Sequence, residues 1–176
     1  EIAQAESASG KKPFVKIWMH IGLVRIGSQK MSKSLGNFIT IKDFLESHSP
    51  RLFRWWILCH HYRSPVVYTE KNLENAKTSL QNLQDFTDKL NFIIQEQKKS
   101  AKSGTIQKLL KKTEEKFHES LQNDFNTPET VANLFSLISE INKSIWNLSK
   151  KEAYAVKSLI MRNLKNLGLS YFQVLE

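Results

Sequence analysis

Lys30 and Lys33 stand three residues apart in the run IGSQKMSKSLGNF, residues 26–38. A lysine ammonium is a compact charge on a flexible stem, suited to following phosphate oxygens as they move. Ser32 and Ser34 add hydroxyl donors, and Gly27 and Gly36 flank the run. Loop backbone N–H groups add a further means of cradling an anion. Phosphoryl and nucleotidyl transfer build negative charge on the leaving and equatorial oxygens. Cations that meet this charge only in the transition state raise the rate. A loop with glycine at both ends is expected to swing and deliver them late. Two lysines alone would favour a solvated basic turn, because such pairs are common on surfaces.

A strand must lead into this loop, because apolar and polar residues alternate from Phe14 through Val15, Ile17, Met19, Ile21 and Leu23 to Ile26. The pattern predicts one or two strands over 13–27, broken near Gly22. A short helix ending at Gly10 precedes it. Thr40 caps a short amphipathic helix after the loop, and Ser49-Pro50 opens another that is dense in aromatics. YRSPVVYTE, residues 62–70, reads as an extended link, since Pro65 biases Ser64 away from helix.

From Thr69 the spacing changes to three and four. Leu73, Ala76, Leu80, Leu83, Phe86, Leu90, Ile93 and Ile94 make the first apolar stripe. Ile106, Leu109, Leu110, Phe117 and Leu121 make a second. Thr127-Pro128 caps a third, from Val131 through Ile145 to Leu148, and Ala153 to Leu167 forms a fourth that stops near Gly168. Four such stripes predict an antiparallel helical bundle over 69–176, behind a first part over 1–68.

The 176 residues carry a net charge of +9 and a pI of about 9.6, a balance that suits a polyanionic partner such as nucleic acid. Lysines 98, 99, 102, 108, 111 and 112 are candidate phosphate contacts or a solvated face. The single cysteine, Cys59, excludes an internal disulfide and suits a reducing compartment. No apolar run approaches the length of a membrane span. A cytoplasmic monomer is expected. His60 and His61 are adjacent, point about 100° apart on a helix, and read as a packed pair rather than a chelate.

The string KMSKS, residues 30–34, resembles the second signature motif of class I aminoacyl-tRNA synthetases. EIAQAESASG, WMHIGLV, KMSKSLGNFITIKDFL, HYRSPVVYTEKNLENA and NDFNTPETVANLFSLISEIN follow one another in the order of the cysteinyl-tRNA synthetase family. The resemblance covers nearly the whole chain. It implies a mostly α chain: the end of a class I Rossmann-type catalytic domain, with a short strand segment and the lysine loop, then the bundle. It implies ATP with Mg2+, cysteine and tRNA(Cys) as ligands, with Lys30 and Lys33 catalytic and Lys30, Met31, Ser32, Lys33 and Ser34 forming the ATP loop. Glu1 falls on a zinc ligand of the family, whose remaining ligands lie upstream, so zinc is expected only in the intact enzyme. The 176 residues alone are expected to be inactive, without the family's HIGH motif. HIGL, residues 20–23, is not that motif, and His20 is equally a strand residue or one facing the adenylate. Two alternatives are a cysteine–amino-sugar ligase of the same ancestry and a non-enzymatic tRNA-binding helical module.

Overall fold

The computed structural model describes residues 1–96 and 104–169, with backbone only at 33, 104 and 105. Helix α1 (Ile2–Ser9) ends at Gly10, whose φ of 68° is the left-handed cap that glycine adopts without cost. Three short strands form one sheet in the order β2-β1-β3. Strand β1 (Val24–Ile26) pairs antiparallel with β2 (Gln29–Lys30) and parallel with β3 (Val66–Tyr68). The expected link over 62–70 therefore contains a strand. Pro65 stands one residue before it, so every residue of β3 keeps its donor.

The expected strand over 13–27 is paired only at 24–26. Residues 13–23 form no strand: bends fall at Pro13, Phe14 and Lys16, and no strand lies beside the segment among the described residues. A segment without a neighbouring strand has no ladder to take its hydrogen bonds. Its side chains are correspondingly open, with Ile17 79% and Ile21 76% exposed, and Phe14, Trp18, Met19 and Leu23 also exposed. Two backbone hydrogen bonds fix the end of this segment, one of them from the Val66 N–H to the Leu23 carbonyl at 3.0 Å. The Gly22 N–H donates to the Tyr62 carbonyl at 2.7 Å, and a Cβ on Gly22 would stand 2.1 Å from the Ser64 oxygen. Only glycine admits so close an approach of two backbones.

Thr40 caps α2 (Ile41–Ser47) through a reciprocal box with Asp43. The Thr40 hydroxyl, then its N–H, hold the Asp43 carboxyl below its ordinary range. That stabilisation is present above the unfolded-state value and lost as pH falls through the folded one. Ser49 caps α3 (Pro50–Leu58), which buries Leu52, Trp55 and Trp56.

Helix α4 (Glu70–Gln95) begins where the spacing changes, and Thr69 caps it by accepting from the Asn72 N–H. The helices α5 (Gly104–Gln122), α6 (Thr127–Asn142) and α7 (Lys150–Asn166) complete the bundle, in which α4 packs on α7 and α5 on α6. Two boundaries differ from expectation. The side chain that caps α6 is Asn126, which accepts from the Glu129 N–H, so Thr127 is already helical. The third stripe ends at Asn142. Ile145 and Leu148 remain buried, but from a 3-10 turn (Ile145–Asn147) that apolar spacing alone does not separate from a helix. Helix α7 closes as a Schellman motif, with the Leu169 N–H on Leu164 and the Gly168 N–H on Lys165.

One contiguous core runs from Phe44 and Trp56 through Leu83, Phe86 and Leu137 to Ile160 and Leu164. It crosses residue 69 without a break, because α3 lies against α4 and α6. No helix among the described residues is long and apolar enough to cross a membrane.

Candidate nucleotide loop and its supports

Gly27 opens the turn between β1 and β2 with a φ of 59°, while Ser28 has no positive φ. Glycine at the first turn position is what a type II′ hairpin demands. Ile26 pairs with Gln29 and Arg25 with Lys30. Lys30 therefore belongs to a strand rather than to a free loop, and its side chain is exposed. Residues Lys33–Leu35 then form a single 3-10 turn, and Gly36 leaves it with a φ of 65°. The Lys33 side chain lies outside the described residues.

Asn37 closes the loop. Its Oδ1 accepts from the Ser32 N–H at 2.9 Å, and its Nδ2 donates to the Lys30 carbonyl at 3.3 Å. One amide thus pins both flanks of Met31. The Ser32 and Ser34 hydroxyls are 2.7 Å apart. The Met31 N–H donates to Val24 and the Leu35 N–H to Ser32. The N–H groups of Met31, Ser32 and Leu35 are thus engaged inside the loop. Gly27 and Gly36 occupy left-handed backbone positions that glycine adopts without strain.

The surrounding field is strongly positive. Residues 7–42 contain no Asp or Glu but seven cations, Lys11, Lys12, Lys16, Arg25, Lys30, Lys33 and Lys42. This acid-free run is plain in the sequence. It is a clearer signal than the net charge, because it places the excess beside the loop.

A second cluster ties the α3–β3 connection to the turn between α5 and α6. The Tyr62 hydroxyl donates to Asp124 Oδ1 at 2.6 Å, and Arg63 reaches the two carboxylate oxygens at 3.1 and 3.0 Å. Arg63 Nε also donates to the Tyr62 oxygen at 2.9 Å, and Tyr62 first, then Asp124, raise the guanidinium further. Asp124 and the adjacent Phe125 both carry positive φ, 54° and 52°. Such backbone costs energy and persists where surrounding contacts over-determine it. Spacing gave no hint of this cluster, because its members lie about sixty positions apart.

The other expected residues are placed as follows. His60 Nδ1 is 2.8 Å from the Trp56 carbonyl, and His61 stacks on Tyr62. They are indeed a packed pair, though just beyond the end of α3. His20 is exposed in the unpaired segment. Lys108, Lys111 and Lys112 are exposed on α5, while Lys98, Lys99 and Lys102 lie outside the described residues. Glu1 is exposed ahead of α1, and among the described residues no group of three or more His, Cys, Asp or Glu side chains could hold a metal. A single carboxylate does not fit a zinc site.

Cys59 caps α3, and burial pushes its thiol up to about 11. Only the thiolate alkylates, so at neutral pH Cys59 should react with iodoacetamide about a hundredfold more slowly in the folded chain than in the urea-unfolded chain. The rate should climb with pH up to about 11. Equal rates in the two states would contradict this burial.

Comparison with known proteins gives consistent matches. Residues 1–78 match the family "tRNA synthetases class I (C) catalytic domain", and residues 116–173 match the "DALR domain". Among curated relatives, the cysteine–tRNA ligase of Aquifex aeolicus is 38% identical over 167 residues, 93% of this chain and 32% of its own. That of Hydrogenovibrio crunogenus is 44% identical over 81% of this chain and 29% of its own. The chain thus spans about a third of the length of the curated relatives it matches. A LeuRS from Agrobacterium radiobacter K84, solved as a ternary complex with tRNA and LeuAMS, superposes over 98% of this chain and 23% of that one. Its TM-score is 0.72 and its identity 16%, which speaks to fold.

Proposed function

The chain belongs to the cysteine–tRNA ligase family of class I synthetases, and we propose that it supplies the ATP loop and a tRNA-binding bundle to that reaction. The carrying observation is the hairpin at Gly27, which presents an Asn37-pinned lysine loop in an acid-free field. Cysteine and ATP give cysteinyl-adenylate and pyrophosphate, and the cysteinyl group then passes to the 3′ end of tRNA(Cys). In the first step the cysteine carboxylate attacks the α-phosphorus, and charge moves onto the leaving pyrophosphate. Lys30 and Lys33 meet that charge, and the Ser32 and Ser34 hydroxyls donate to phosphate oxygens. Met31 gives its N–H to the hairpin and spaces the two lysines.

In this reading residues 1–68 end the catalytic domain. The exposed apolar segment from Phe14 to Leu23 is where the remainder of the nucleotide fold packs. Residues 69–176 form the bundle that contacts tRNA. ATP carries Mg2+, Glu1 contributes to zinc only where the other ligands exist, and the working form is a cytoplasmic monomer. The relatives' names favour tRNA over an amino-sugar acceptor.

The test is a chimera in which this chain replaces the matched segment of the Aquifex aeolicus ligase. Cysteine-dependent ATP–pyrophosphate exchange and cysteinylation of tRNA are the expected results. A folded chimera that lacks both would overturn the proposal. Exchange without charging, with an amino sugar accepted instead, would move it to the sugar ligase.

A further inference from the structure

We propose that Arg25 is a phosphate-binding residue, and that it forms with Lys30 one anion clamp on the outer face of the hairpin. The clamp suits the polyphosphate of a nucleotide and the pyrophosphate released from it. The inference rests on the loop being a nucleotide site and adds a residue that the KMSKS string does not contain.

Register carries the first part. Arg25 and Lys30 are direct partners across the antiparallel pair. The Met31 N–H on Val24 makes 24 and 31 a hydrogen-bonded pair. Arg25 and Lys30 are therefore a non-hydrogen-bonded pair, the class whose side chains stand closest, with Cα atoms about 4.5 Å apart. Both project from the same face. Val24 and Ile26 alternate to the other face, where Val24 and Tyr68 pack against the core. Arg25 and Lys30 are exposed.

Electrostatics carries the second part. Like charges directly opposite each other destabilise a strand pair. Here the strands have three and two residues, so little ladder offsets the repulsion. Neither cation has a carboxylate within ion-pair distance among the described residues, and none exists in the sequence from 7 to 42. Two unopposed cations held side by side are a site for an external anion. Their chemistry is complementary: the guanidinium fork fits two oxygens of one phosphate, while the ammonium follows a neighbouring one.

The test uses the 176-residue chain and inorganic tripolyphosphate, titrated by calorimetry in about 0.1 M salt. Arg25→Ala should weaken binding about tenfold, and Arg25→Lys less. Lys30→Ala should weaken it similarly. The double variant should lose less than the product of the two, because both cations hold one anion. Lys42→Ala, an exposed cation of the same acid-free run on α2, should change binding less than about twofold. Arg25→Ala should also melt no lower than the parent at low salt, since it relieves repulsion.

If Arg25→Ala binds like the parent while Lys30→Ala loses binding, the clamp is wrong and the nucleotide loop stands. If the parent chain binds no tripolyphosphate, both fail. Equal losses in Arg25→Ala and Lys42→Ala would mean a diffuse field and no clamp.

Discussion

Lys33→Ala, placed in the Aquifex chimera, should lower cysteine-dependent pyrophosphate exchange by about 10²–10³-fold, the usual effect of deleting one group aimed at transition-state charge. The loss should fall mainly on kcat, with the KM for cysteine nearly unmoved. An interaction realised only in the transition state behaves in this way. Lys33 opens the 3-10 turn Lys33–Leu35, held between the Asn37 amide and Gly36. Lys42→Ala, outside the loop, should change the rate less than about twofold. Exchange within about twofold of the parent for Lys33→Ala would end the case for the loop as a catalytic element.

Trp55→Ala should destabilise the chain by about 3–5 kcal/mol, the range for removing a large buried aromatic. Trp55 is 0% exposed. Its indole N–H donates to Ser79 Oγ on α4 at 2.7 Å, and its ring meets Phe135 of α6 edge-on at 6.2 Å. The side chain thus joins α3 to two bundle helices at once. Urea unfolding followed by circular dichroism measures the loss, and the thermal midpoint should fall by roughly 10 °C. Trp55→Phe keeps the ring contact and loses the hydrogen bond, so it should cost about 1–2 kcal/mol. It also remains measurable if the alanine variant fails to fold. Trp18→Ala, at an exposed residue of the unpaired segment, should stay within about 0.5 kcal/mol. A Trp55→Ala cost below about 1 kcal/mol would show that α3 and the bundle do not depend on this contact.

Lys33 is visible in local order, since the chemistry of its motif depends on adjacent residues. Trp55 stands in the sequence only within an aromatic-rich helix, and its bridging role comes from Ser79 and Phe135, 24 and 80 positions away.

Four amphipathic helices were legible because burial repeats every three or four residues, and the caps at Thr40 and Ser49 because each is a bond to a near neighbour. The lysine loop and the seven-cation, acid-free run are likewise properties of local order. What alternation could not decide was pairing. It marked 13–27 as extended, but only 24–26 has neighbours, because a strand exists only where another backbone takes its hydrogen bonds. It passed over Val66–Tyr68 for the same reason. Arg25 opposite Lys30 and Asn37 on both flanks of Met31 are contacts within one thirteen-residue run, set by the two-residue turn at Gly27. Tertiary structure alone laid Val66–Tyr68 beside Val24–Ile26 and brought Asp124 to Tyr62 and Arg63, because these partners lie some forty to sixty positions apart and no single run of residues specifies their meeting.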